Sequence, residues 1–305
     1  MARHFGVGKE TTYGTAVAPT EFSEAIRETL QQNRRFEEIT TIRSNSTRVV
    51  NQLNSNVGGD VELIGNFQDI GLLLKGFIGS VTTTGAGPYT HTFPATSGTT
   101  GRSGLSLTAE VSRDSTALTW RYAGCKVVSY SFSASKDQSP RITFGLAGKS
   151  EATGTAAAPS FPTFSPMLVQ NLTISFDGVS LDCTELSLEA EWPVDEPYVI
   201  GSAVYAKEPL DNAVLKVGGS ATVLLTDLTQ YAKFNGTTDV DIAIACTSGG
   251  LSITHNLNKC RLTAAPINVD GRERLLGRYD FQSFFDATAT ENLQVVLVND
   301  DVTIP

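Results

Sequence analysis

The chain has 305 residues, 40% of them apolar, which suffices for a sizeable core and suits two domains of ordinary size. Its formal charge of −9, with no clustered Lys/Arg run, excludes a surface that grips nucleic acid, because holding phosphates needs cations that displace counterions. No apolar run approaches the roughly 20 residues of a membrane span. The opening MARHFGVGKE has no secretory apolar stretch, and Cys125, Cys183, Cys246 and Cys260 form no C-x-x-C pair, so they read as reduced, buried thiols.

In chain order, residues 1–22 read as an amino-terminal arm, and fraying is the default for such an end. The next stretch, SEAIRETLQQNRRFEEI, is rich in helix formers, and propensity alone marks it helical. The segment EEITTIRSNSTRVVNQLNSN is long for a hairpin connection. VGGDVELI alternates as a strand. Behind it, Phe67, Ile70, Leu74 and Phe77 recur at intervals of three and four, giving the core stripe of a short amphipathic helix. A Gly/Thr/Ser-rich hairpin follows around TTTGAGPYTHTFPATSGTTGRSG, then the alternating strands LSLTAEV, KVVSYSFSAS and RITFGLAG. SEATGTAAAPSFPTFSP (150–166) has the composition of a linker. Beyond it LVQNLTISFDGVSLDCTELSLEAEW alternates again, with Asp177-Gly178 suited to a tight hairpin turn. After PVDEPYVIGSAVYAKEPLDNAVLK and the strand VGGSATVLL comes a second short helix, with Leu228 and Tyr231 on its apolar stripe, Thr226 or Asp227 as cap and Gly236 as stop. DIAIAC and LQVVLV complete a mainly β chain.

The two halves repeat one order of elements. Each has a V-G-G strand followed directly by a helix, each has a Leu six residues before an aromatic upstream (Leu30 with Phe36, Leu186 with Trp192), and each has a Cys, a base, a strand, a polar turn and a strand downstream, from Cys125 and from Cys260. An internal duplication is therefore expected, with a first domain over 23–149, the linker 150–166, a second domain over 167–298 and a tail over 299–305. The repeat also bears on SEAIRETLQQNRRFEEI: its counterpart TELSLEAEW alternates, so strand is preferred there over helix.

The series GVGKETTYGTAVAPTEF, VGGDVELIGNFQDIGLLLKGFIGSV, YTHTF and RYAGCKVVSYSFSAS resembles the major tail tube proteins of long-tailed, non-contractile phages, over most of the first copy and more weakly over the second. The resemblance implies a β-sandwich or barrel flanked by one helix per domain, long inter-subunit loops, and rings stacked into a conduit for double-stranded DNA in a virion tail made in the host cytoplasm. It also implies tape measure and tail-end proteins as partners. Such rings need six tube domains, so a duplicated chain predicts a trimer with pseudo-sixfold symmetry; a homohexamer with one tube-forming domain per chain is the alternative.

Alternation places Asp60 and Glu62 on one strand face and Val61 and Leu63 on the other, with Ser220 and Thr222 at the matching positions of the second copy. Within a tube these four residues are the candidate lumen residues, where an acidic wall would not retain DNA; solvation of an outer face is the other reading. The two long connections are assigned by resemblance to contacts between rings or subunits, with Arg43, Arg48, Tyr198 and Tyr205 as anchors, residue types favoured at interfaces.

Catalytic patterns are absent. GVGK lacks the Gly and the Ser/Thr of a phosphate loop, since Arg3 and Glu10 hold those places. His4, His91 and His255 have no metal spacing, Asp239-Val240-Asp241 suits a solvated strand face, and Cys125 and Cys260 read as core thiols. No cofactor is expected. The rival function classes are a β-rich adhesin or carbohydrate-binding module, which should expose clustered aromatics where this chain has Trp120 and Trp192 set singly, and a hydrolase.

Overall fold

A computed structural model describes residues 3–43, 45–96, 102–114, 118–201, 204–267 and 274–305. Parts of the Gly/Thr/Ser-rich hairpin, of both long connections and of the turn after Pro266 thus lie outside the described residues. The first half contains β1 (His4–Lys9), β2 (Glu21–Ser23), β3 (Ala25–Glu28), β4 (Gln31–Ile39), β5 (Val49–Ile64), α1 (Gly71–Ile78), β6 (Thr82–Thr84), β7 (Tyr89–Thr96), β8 (Leu107–Ser112), β9 (Thr119–Ser135), β10 (Gln138–Gly148) and β11 (Ser150–Gly154). The second contains β12 (Leu172–Phe176), β13 (Val179–Leu181), β14 (Cys183–Glu191), β15 (Val194–Asp195), β16 (Leu210–Asp211), β17 (Lys216–Leu224), α2 (Thr229–Asn235), β18 (Val240–Ser248), β19 (Leu251–Ala264), β20 (Leu276–Ser283) and β21 (Glu291–Asn299).

All the strand ladders are antiparallel, and the long strands β9 and β19 organise them. The front part of β9 pairs with β8 and β11, and its rear part with β10. The front part of β19 pairs with β18 and β21, and its rear part with β20. β10 leads to β5 and then to β3 and β4, while β20 leads to β17 and then to β14. β1 lies beside β8, and β12 beside β18. No barrel closes among the described residues. Facing sheets instead enclose one core that includes Phe5, Val61, Leu63, Phe77, Tyr130, Phe132, Phe144, Ile244 and Phe281.

The second glycine of each V-G-G strand has a steric cause. A Cβ on Gly59 would lie 2.5 Å from Thr29 O, and one on Gly219 would lie 2.1 Å from Ser187 O, so the neighbouring backbone crosses too closely for any side chain. Asp177 and Gly178 both take positive φ, the backbone of a type I′ turn, between β12 and β13. The helix formers of 25–39 form β3 and β4, because pairing with β5 overrides propensity.

Several expectations change. The arm is held down over its described residues, 3–22: β1 runs between β2 and β8, and the buried Glu10 carboxylate accepts from Ser106, Thr108, Gly14 and Gly124. The two glycines of GVGK are explained by packing, since a Cβ on Gly8 would lie 2.5 Å from Ala18 O. The linker 150–166 begins as β11, and its remainder is tied down where Ala157 N donates to Glu110 and Ser165 N to Asn66. The tail returns to α1, where Ile304 occupies the space that Gly71 leaves and Lys75 Nζ donates to Ile304 O.

The two helices differ most. Phe67, Ile70, Leu74 and Phe77 are fully buried, and α1 is buried all round except at Lys75. Gly79 ends it in the left-handed conformation, with its N–H on Lys75 O. In α2 only Gln230 is buried; Leu228 is 61% and Tyr231 37% exposed, so neither is a core residue of this chain. The cause is composition: GLLLKGFI is apolar round its whole circumference, whereas TQYAKFN can bury only one edge, through Phe234. Asp227 Oδ1 accepts the Thr229 N–H and Gly236 N donates to Ala232 O, as cap and stop.

Candidate functional site: a polar sheet face and its open edges

The strands β5, β10, β9, β14, β17 and β20 form one continuous sheet, joined across the two halves where β9 pairs with β14. Alternation sorts its side chains strictly. Val61, Leu63, Tyr130, Phe132, Leu186, Leu188 and Ala221 face the core, while Asp60, Glu62, Ser220 and Thr222 lie on the opposite, solvent-facing side. Those four are accompanied there by Ser129, Ser131, Ser133 and Ser135 of β9, Glu185, Ser187, Glu189 and Glu191 of β14, and Arg278 and Asp280 of β20.

One register row runs Glu62, Thr143, Ser131, Glu189, Gly218, Gln282. The surface dips into a trough of about 730 Å³ lined by Ser129, Ser131, Ser187, Glu189, Glu191 and Lys216. Short hydroxyls and the glycines Gly218 and Gly219 form much of its lining, with Arg278 and Gln282 beside them. Part of its charge is neutralised: Arg141 lies 3.3 Å and Arg27 3.8 Å from Glu62, and Arg278 lies 2.8 Å from Asp280. Among the described residues Glu185 and Glu189 have no such ion pair, and they leave β14 as an acidic stripe.

The five serines and three glutamates of β9 and β14 escaped the sequence reading, although KVVSYSFSAS and ELSLEAE each alternate as VELI does. Period 2 was the available signal.

The two long connections turn out unlike each other. Residues 37–54 are not a loop but a projecting hairpin, because β4 pairs with β5 as far as Ile39 with Val49. Arg43 and Arg48 are exposed near its tip, with Ile42 fully exposed and Phe36 54% exposed on its length. The connection 193–215 instead folds onto the first half of its own chain. Tyr205 bridges to Ser55, whose N–H donates to Val204 O at 2.8 Å, so Tyr205 makes an intrachain contact. Tyr198 is 41% exposed.

A buried clasp holds that connection down. Lys126 Nζ lies 2.7 Å from Glu208, and Arg102 Nε 3.1 Å from Asp211. Arg102 also donates to Gly76 O, Phe77 O and Val127 O and lies over the Trp192 ring, so one guanidinium caps α1 and ties the halves together. Burial pulls this guanidinium down, an effect partly offset by Asp211.

The chemistry-bearing residues are engaged structurally. Tyr130 OH lies 2.6 Å from His255 Nε2 in the core, His91 contacts Asn299, and His4 contacts Glu110. Burial pushes the Cys125 and Cys260 thiols up to about 12. Arg261 holds Asp239 at 2.6 Å. Among the described residues no group of three His, Cys, Asp or Glu could hold a metal ion, and no helix is long and apolar enough to cross a membrane.

A search of curated proteins finds no match to the chain. The family model for phage tail tube proteins matches residues 2–283, nearly the whole length over which the two halves and their shared polar face extend. The chain therefore belongs to the phage tail tube protein family and is a structural, tube-forming component of the virion tail.

Proposed function

We propose that this chain is a duplicated tube subunit, that three copies close a pseudo-sixfold ring, and that stacked rings make the conduit through which double-stranded DNA leaves the virion. One observation carries the reading: both halves skip a residue at the same place in the same ladder. Val127 faces Leu146 and Ser129 faces Gly145, passing over Val128; Leu262 faces Phe281 and Ala264 faces Asp280, passing over Thr263. A shared bulge of this kind is a designed feature of a fold and supports duplication of one domain.

On this reading residues 23–149 and 167–298 are the two tube domains. The Ser/Glu face lines the bore, and the projecting hairpin 37–54 reaches a neighbouring subunit or ring. A wall of carboxylates and hydroxyls repels phosphate within roughly 8–10 Å at ordinary salt, so DNA slides past without being held. Assembly in the host cytoplasm on a tape measure protein, between tail-end proteins, follows the same reading. Negative-stain electron microscopy with light-scattering mass tests it. Hollow rings or tubes of three chains per ring are expected. Six chains per ring would overturn the duplication argument, and a monomer at every concentration would overturn ring formation and favour a β-rich binding module.

A further inference from the structure

Within the chain, the rear edge of β9 is covered by β14: Ser129 faces Glu191, Ser131 faces Glu189, and Trp192 N closes the ladder on Val128 O at 2.9 Å. The equivalent edge at the end of β19 and over the two residues after it, from Thr263 to Pro266, has no strand beside it among the described residues. The strand equivalent to β14 is β4. Gly58 faces Gln31 as Gly218 faces Glu189, and Asn56 faces Asn33 as Lys216 faces Glu191. Among the described residues the outer edge of β4 has no strand beside it either.

We propose that these two open edges are partners: β4 of one chain pairs antiparallel with the rear of β19 of the next, in the register of the internal β9–β14 seam. Ala264 then faces Asn33, Pro266 faces Gln31, and Arg34 N donates to Thr263 O. The backbone is already set for this bond. Ser55, opposite Arg34, turns its N–H away from β4 to Val204 O, so this is a non-hydrogen-bonded pair and the Arg34 N–H points outward. Open edges of this kind invite pairing with another chain. Because the edges are at opposite ends of the sheet, the contact is head-to-tail and closes only as a ring.

This inference rests on the tube reading, and its test separates the two. Ala264→Cys with Asn33→Cys, in a Cys183→Ser background, should on mild oxidation of the assembled protein give linked dimers and a closed three-chain species on a non-reducing gel. Ala264→Cys with Glu37→Cys should give neither. As a second variant, Arg34→Pro removes one outward backbone N–H and no internal backbone bond, together with the exposed side-chain bonds from Arg34 to Gln32 Oε1. It should leave the melting temperature of the subunit within a few degrees and raise the concentration needed for assembly at least tenfold. Tubes that form normally from Arg34→Pro, or that link through the control pair as readily as through the seam pair, would overturn the seam while leaving the tube intact. Wild-type protein that never assembles would overturn both.

Discussion

The two helices follow equivalent V-G-G strands and have opposite fates. α1 is a plug: its Leu and Phe side chains are buried beneath β9 and β7, Arg102 caps its end, and Ile304 covers Gly71. α2 lies on the surface with Leu228 exposed. The helix of the first half serves the fold of the single chain, whereas that of the second half leaves apolar surface exposed. The same division appears in the connections, since 193–215 is clasped to its own chain and 37–54 projects from it.

Breaking the plug should cost most. Phe77→Ala removes a fully buried ring from α1 and should cost about 4 kcal/mol in chemical denaturation. Arg102→Met removes the Arg102–Asp211 half of the clasp, leaves Asp211 unpaired and uncaps Phe77 O; a loss of about 3 kcal/mol is expected, read as a lower melting temperature.

Acidity sharpens the contrast, because the carboxylates near the start of α1, Glu21 and Asp69, are desolvated, whereas Asp227 at the start of α2 is exposed. Burial raises Glu21 to about 7 and Asp69 to about 6. Both therefore favour the fold when protonated: their contribution is complete below the ordinary carboxylate range and is lost as pH rises through about 6 and 7. Glu21→Gln keeps the acceptor for the Leu72 N–H and should stabilise the chain by about 2 kcal/mol at pH 8, with the gain shrinking toward pH 5. His255 works in the other direction. Burial depresses it to about 4, so its contribution is present above the ordinary histidine value and is lost as pH falls toward 4. His255→Asn should flatten the acid limb of a melting temperature against pH curve.

The smallest effect belongs to α2: Leu228→Ser should change subunit stability by no more than about 0.5 kcal/mol. A large loss would show that α2 is a plug like α1.

Much of the fold was legible because period 2 is a local signal. VELI, SYSFSAS and ELSLEAE each declare a buried and an open face, and Asp177-Gly178 declares its turn. The repeat also argued correctly for strand at 25–39. It misaligned one pair, however. Leu30 and Leu186 match by distance to the next aromatic, but the ladders make Leu30 equivalent to Leu188, since Glu28 faces Val61 as Leu186 faces Ala221. The strand is interrupted between Glu28 and Gln31 and its ladder is irregular between Arg35 and Phe36, so counting residues along the sequence loses the register. Contacts between distant residues gave no local signal at all. Nothing near Arg102 announces Asp211, and nothing in the first ten residues announces that Glu10 will be buried beneath β8 and β9.

The acidic stripe on β14 has one more consequence. Glu185, Glu189 and Glu191 occupy the seam between the halves, while the equivalent places on β3 and β4 hold Arg27, Gln31 and Asn33. In the three-chain ring proposed above, every second seam would be acidic and the alternate ones neutral to basic. The bore would then be sixfold in shape but threefold in potential, and ring-to-ring rotation along the tail would wind three negative rails down its length.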